Sequence, residues 1–167
     1  MISPFANKKS EIHQTAFIAD TAIIIGDVEI GEDASVWFGS VLRGDVNYIR
    51  IGARTNIQDM TMIHVNSRTD PTVLEDEITV GHRVTLHGCY IARGSLIGIG
   101  AILLDGVRVG AQSLVAAGSL LTPGTEIPPR SLVMGAPAKV KRELTDDEVA
   151  GLDRSWRNYA KLKNQYR

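Results

Sequence analysis

From residue 12 onward the chain is punctuated by an aliphatic residue every six positions: IHQTAF, IADTAI, IIGDVE, IGEDAS, VWFGSV, LRGDVN. The fifth position of these blocks is small or β-branched throughout: Ala16, Ala22, Val28, Ala34, Ser40, Val46. The frame slips at Tyr48 and restarts as Ile51, Ile57 and Ile63. It returns at Val80 and Leu86, drops one residue, and runs on through Ile91, Ile97, Leu103, Val109, Val115, Leu121 and Ile127. Of the 19 block starts, 18 are Ile, Leu or Val, whereas those three types make up only 44 of 167 residues.

A period of six excludes an amphipathic α-helix, whose apolar positions recur at about 3.6. It predicts an all-β chain, a parallel β-helix in which each hexapeptide supplies one short strand and a corner. Three blocks close one triangular coil of eighteen residues, with the aliphatic starters inside and Gly, Asn or Asp near the corners. Residues 66–77, NSRTDPTVLEDE, are polar and carry a proline, and read as a loop thrown out of the coil. The stretch PPRSLVMGAPAKVKR reads as an extended crossing segment. Thr145-Asp146-Asp147-Glu148 then forms a capping box. Val149, Leu152, Trp156, Tyr159 and Leu162 follow at helical spacing. The expected organisation is a β-helix with its crossing segment over 1–143, and a helix over 144–167 packed back on it.

Composition narrows the classes. Aromatics are only 5%, so the core must be aliphatic, and the net charge is −1 with no Lys/Arg run. Nucleic-acid binding therefore has no electrostatic support. No apolar stretch approaches the roughly 20 residues of a membrane span. The start MISPFANKKS has no apolar core of a secretory signal, and one cysteine cannot form an intrachain disulfide. These features lead us to expect a cytoplasmic protein.

The chain has four histidines, and three of them, His64, His82 and His87, fall within one short window. Counting faces, His64 and His87 are both second in their blocks and stack on one face, a strand spacing apart. His82 is third in its block on another face and points away. Taken singly, each would be an ordinary surface histidine. The three converge on a cation only if neighbouring subunits meet, for which a closed ring about a three-fold axis is the natural arrangement. Three neutral imidazoles leave an open fourth position, where zinc would lower the pKa of bound water to about 7. Fe(II) and Co(II) fit the same donors. Cys89 reads as core packing, His13 as a surface residue, and Trp37 and Phe38 as packing groups at a corner.

The combination Arg43-Gly44-Asp45, Asn56-Ile57-Gln58-Asp59, Ile63-His64, Gly81-His82 and His87-Gly88-Cys89, followed by GAPAK and a terminal helix, resembles the gamma-class carbonic anhydrase family over nearly the whole chain. The resemblance implies a left-handed coil and a homotrimer with a metal, zinc or else Fe(II) or Co(II), at each of three interfaces. It takes His64 and His87 from one chain and His82 from its neighbour. It implies that Gln58 orients a metal-bound hydroxide attacking CO2 to give bicarbonate. It further implies an Arg43–Asp59 ion pair between subunits with Asp45 beside it, and Asn56 and Tyr159 lining the pocket. Two departures bear on proton release. The best-characterised members carry Glu where this chain has Val46, and a long acidic loop where this one is shorter and clusters Glu75, Asp76 and Glu77 at its end. The coil also supports two other readings: a hexapeptide acyltransferase or thioesterase acting on acyl-CoA, and a catalytically silent trimeric scaffold.

Overall fold

The six-residue period resolves, in a computed structural model that describes residues 1–166, into a parallel β-solenoid of triangular section followed by one C-terminal helix. Most rungs are two- or three-residue strands, each hydrogen-bonded to the strand one coil below and one coil above. On the first face, Met62–His64 pairs in parallel with Thr85–His87, which pairs with Ile102–Leu103 and then Leu120–Leu121. The second face runs Thr72–Leu74, Tyr90–Ile91, Arg108–Val109, Glu126–Ile127. The third runs Phe17–Ile18, Ser35–Val36, Asn56–Ile57, Thr79–Val80, Leu96–Ile97, Leu114–Val115 and Ser131–Gly135.

The aliphatic starters fill the prism. Ile24, Val36, Leu42, Ile57, Ile63, Val80, Leu86, Ile91, Ile97, Leu103, Val115 and Leu121 are fully buried, and so are Ala22, Val28, Ala34 and Ser40 at the fifth position. Alternation along each strand then sends the flanking residues outward.

The slip of frame at Tyr48 has a structural cause. The long strand Val41–Ile51 follows Ile23–Ile30 from one face onto the next, and the register jumps from Gly26↔Gly44 to Val28↔Ile49. Three extra residues bulge out there, leaving Val46 and Tyr48 exposed. The excursion expected over 66–77 is shorter. Only 66–71 leaves the coil, because Val65 stays in the core and Leu74 enters it, pulling Thr72–Leu74 into the second face as a regular rung. The crossing segment is not a simple extended strand: Ser131–Gly135 and Ala138–Glu143 form an antiparallel hairpin on the third face.

The outward row of the third face, Leu96, Leu114 and Leu132, is apolar and needs cover. The helix Asp146–Leu162 supplies it. Thr145 Oγ1 accepts from the Glu148 amide, Glu148 reaches back to the Thr145 amide at 2.9 Å, and Val149 and Leu152 pack on the leucine row. Beyond the helix, Lys163, only 1% exposed, donates to Asp33 at 2.9 Å and to the Thr15 carbonyl at 3.0 Å. No helix among the described residues is long and apolar enough to cross a membrane.

Candidate metal centre

His64 and His87 are hydrogen-bonded-ladder partners on the first face, with Ile63 and Leu86 between Met62/His64 and Thr85/His87 turned into the core. Both rings therefore project outward, one directly above the other. Their centroids are 5.0 Å apart, and His64 Nδ1 lies 3.1 Å from His87 Nε2. The opposite nitrogen of each ring is held by a carboxylate. His64 Nε2 is 3.0 Å from Asp45 Oδ1, and His87 Nδ1 contacts Asp105 Oδ1.

This arrangement dictates where the lone pairs point. A carboxylate accepts, so each imidazole turns its N–H outward to its aspartate and its lone pair inward. Two neutral rings so tied would face each other lone pair to lone pair at 3.1 Å, an opposition that a positive charge between them relieves, whether a shared proton or a metal ion. A divalent cation fits that demand. Metal–nitrogen bonds of about 2.0–2.1 Å at an angle near 100° span such a gap.

Asp45 comes from the bulge that interrupts the frame. Burial pushes its carboxyl up, but hydrogen bonds from His64, from Arg43 and from the Val46 amide outweigh burial and hold its pKa at about 2. Asp105 is likewise lowered: burial raises it, and hydrogen bonds from Asn66 and His87 more than offset that. Both aspartates are thus anionic at neutral pH.

His82 stands apart, in the corner turn between the third and first faces. Its Nδ1 is 2.8 Å from Asp59 Oδ2, in the corner one coil below, and the Arg83 amide donates to the Asp59 carbonyl. Gln58 precedes that corner. It is 5% exposed, its amide nitrogen donates to Asn56 Oδ1 at 3.1 Å, and Asn56 in turn donates to Thr79 Oγ1 and the Ile78 carbonyl. An apolar cleft opens beside it, lined by Gln58, Gly81, Ile97, Ile99, Ala117 and Ser155. Tyr159 approaches the same corner from the helix, edge-on to Trp37 at 5.3 Å. Burial, and then the Asp59 carboxylate, push its phenol up.

Within one chain the candidate residues therefore form two groups. One, on the first face, joins Arg43, Asp45, His64 and His87. The other, at the corner, joins Asn56, Gln58, Asp59, His82 and Tyr159. Arg43 pairs with Asp45 inside its own chain, and no pair between Arg43 and Asp59 forms there. Among the described residues no group of three or more His, Cys, Asp or Glu side chains converges on one cation position within a single chain. Cys89 is sealed in the core, where burial pushes its thiol up to about 12, so it offers no thiolate. His13 lies rungs away, bonded to Thr15 Oγ1.

Asp105 and Asn66 are absent from the sequence reading. The period of six does not point to Asp105: the coil is one residue short here, Leu86 pairs with Leu103, and Asp105 reaches the ring from one position beyond the register partner of His87. The dipeptide Asp105-Gly106 looks like one more corner turn among many. The acids Glu75, Asp76 and Glu77 are engaged away from the two rings. Glu75 accepts from the Tyr90 hydroxyl and the Arg93 amide, Asp76 from the Ala53 amide, and Glu77 pairs with Arg54 and Arg93.

Comparison with known proteins places this geometry among relatives. No family model matches the chain. It is 50% identical over 166 residues to a protein from Geobacillus kaustophilus named carbonic anhydrase, covering 99% of this chain and 90% of that one. It is 44% identical to the mitochondrial gamma carbonic anhydrase 1 of Arabidopsis thaliana, over 93% of this chain and 58% of that one. The crystal structure of a hexapeptide transferase family protein from Anaplasma phagocytophilum superposes with a TM-score of 0.95 at 42% identity, covering 99% and 98% of the two chains.

Proposed function

The chain belongs to the gamma-class carbonic anhydrase family, and on that premise we propose that it is a metal-dependent enzyme catalysing the reversible hydration of CO2 to bicarbonate. The observation that carries this reading is the His64–His87 pair, two imidazole lone pairs aimed at one point with a carboxylate behind each ring. The ligand set in this reading is His64 and His87 of one chain with His82 of the partner subunit. When bound, the cation, zinc or else Fe(II) or Co(II), supplies Lewis acidity that brings the pKa of a water near 7.

The trimer and the left-handed sense of the coil are part of the same proposal. Two surface features support an interface. Beside the two histidines runs an outward row, Val41, Met62, Thr85, Ile102 and Leu120, four of its five members apolar. The corner that carries His82 displays Met60 at 67% and Ile99 at 55% exposure. Apolar surface of this kind on a parallel sheet calls for a partner. Joining face to corner heterologously around a closed ring covers both and completes the ligand set. Gln58 shares the His82 corner, so both residues enter the site together.

The chain's own residues then have separable tasks. Asp45 and Asp105 keep the His64 and His87 N–H groups turned away from the cation. Asn56 holds Gln58 Nε2, which leaves the side-chain oxygen Gln58 Oε1 to accept a hydrogen bond and so orient the attacking oxygen. The apolar cleft beside Gln58 suits an uncharged, linear substrate. Asp45, with its low pKa, is a poor proton acceptor at neutral pH, and Glu75, Asp76 and Glu77 are committed elsewhere. Asp70, the other acid of the excursion, accepts from its neighbour Thr69, and in this reading the proton leaves to water or buffer. A lone buried cysteine suits a reducing compartment, so a cytoplasmic location belongs to this reading.

The test is stopped-flow CO2 hydration on protein of measured metal content, reloaded with Zn(II), Co(II) or anaerobic Fe(II). Turnover should scale with occupancy and vanish in His64→Ala. Full occupancy without hydration would move the chain to the acyl-transfer or silent-scaffold reading.

A further inference from the structure

We propose that Asp105, braced by Asn66, is a positioning residue that presents His87 to the cation, and that the excursion at 66–71 exists in part to supply that brace. The inference rests on the reading of His64 and His87 as cation ligands and adds residues which that reading does not contain.

The geometry is that of a carboxylate with both oxygens assigned. Asp105 Oδ1 takes the His87 Nδ1–H, and Asp105 Oδ2 accepts from Asn66 Nδ2 at 2.9 Å. Asn66 is itself fixed at every polar atom. Its amide donates to the Asp70 carbonyl at 2.9 Å, its Oδ1 accepts from the Arg68 amide at 3.2 Å, and its carbonyl accepts from Asn47 Nδ2 at 3.0 Å. The carboxylate thus cannot rotate away from His87 without breaking a contact that the loop root holds in place. Thr72 adds to the fixation, donating to the His64 carbonyl at 2.6 Å and accepting from the Gly88 amide at 3.0 Å.

Gly88 provides a second, independent observation. It has φ +58°, and a Cβ built there collides with Asp105 Oδ1 and meets Asp70 Cβ at 2.9 Å. Only glycine lets the aspartate of the next coil lie over this position and reach the neighbouring ring. The residue after His87 is therefore shaped around Asp105.

A ligating histidine whose far nitrogen is so held presents one tautomer and one ring orientation, and losing such a partner weakens metal binding by about 10–100-fold. The experiment is a zinc titration against a chromophoric competitor for wild type, Asp105→Ala and Asn66→Ala, with thermal unfolding as a check on the fold. Long-range 1H–15N spectra of the zinc-loaded histidine rings accompany it. Asp105→Ala should bind zinc about 10–100-fold more weakly and lose the protected His87 Nδ1–H signal. Asn66→Ala should fall in the lower part of that range, since it loosens the carboxylate without removing it. If Asp105→Ala misfolds, Asn66→Ala carries the test alone. Wild-type zinc affinity together with an unchanged Nδ1–H signal in the folded variants would overturn the inference while leaving the metal site intact. Wild-type protein that takes up no zinc would overturn the metal site itself, and the inference with it.

Discussion

His64 and His87 occupy equivalent places on adjacent rungs of one sheet, His64 Nδ1 3.1 Å from His87 Nε2, each with its other nitrogen on an aspartate. The pair is poised by the coil: about eighteen residues make one turn, the stretch at 66–71 is absorbed outside it, and the two side chains land in one row. A cation there relieves the opposition of two lone pairs that the aspartates impose.

Removing the metal should therefore cost more than activity. A ligand that binds only the folded state stabilises it by mass action, by about 4 kcal/mol at a thousandfold excess over Kd. Thermal unfolding of chelator-treated and zinc-reloaded protein should show the loaded form melting higher, with the gap collapsing in His87→Ala. Equal melting temperatures for the two forms of the wild type would count against a structural contribution from this site.

Ligands drawn from two subunits make a distinctive prediction. His82→Ala and His64→Ala homotrimers should each lack metal while remaining folded. Trimers assembled from a mixture of the two chains should regain part of it, because some interfaces join an intact face to an intact corner. Metal analysis of mixed trimers, verified by native mass spectrometry, decides this. Absence of recovery would exclude a shared ligand set.

Val46 sits exposed on the bulge next to Asp45, where the family's best-characterised members carry a glutamate. With Asp45 and Asp105 each tied to a ring and Glu75, Asp76 and Glu77 engaged elsewhere, hydration should be limited by buffer and rise with buffer concentration. Val46→Glu should relieve that limit and raise kcat at low buffer by roughly tenfold or more. Stopped-flow rates across a buffer series measure both effects. A wild-type rate independent of buffer would show that the proton has another route.

The core prediction concerns Leu86, which is fully buried on the rung that carries His87. Leu86→Ala should cost about 2–5 kcal/mol in urea or thermal unfolding, because close-packed rungs collapse poorly around a void. Thr85 and His87 would keep their outward places but on a loosened rung, so metal affinity should fall as well. A loss below 1 kcal/mol would mean that the prism repacks more freely than its rung-by-rung filling suggests.

The helix cap gives a pH dependence with a definite sign. Hydrogen bonds from Arg142 and then from the Thr145 amide hold Glu148 at about 2, below its ordinary carboxylate range. A lowered pKa contributes stability that is present above the unfolded value near 4.3 and is lost as pH falls through about 2. Wild type should thus be more stable than Glu148→Gln at pH 6, with the difference shrinking across pH 4.5 to 2. Trp156 fluorescence follows the docked helix. A pH-independent difference would assign the effect to the cap geometry alone.

What the sequence determined by itself was whatever the period of six carries. Ile63, Leu86 and their equivalents declare their inward direction, and counting three faces per coil, with the polar excursion absorbed on one of them, places 64 and 87 in one row. The capping box at Thr145 and the apolar stripe of the helix were legible for the same reason, since each is a local pattern with one geometric solution. The tertiary structure decided what periodicity does not encode. The lost frame at Tyr48 became a bulge carrying Asp45 to His64, because three surplus residues had to leave a ladder pinned by Gly26 and Gly44. Leu74 recovered a rung from a segment that reads as loop, since its burial outweighs its polar neighbours. Asp105, Asn66 and Gly88 met over His87 although each looks like an ordinary turn residue in one dimension. Their meeting depends on which coil stacks on which, and side-chain contacts between rungs exist only once the chain has wound.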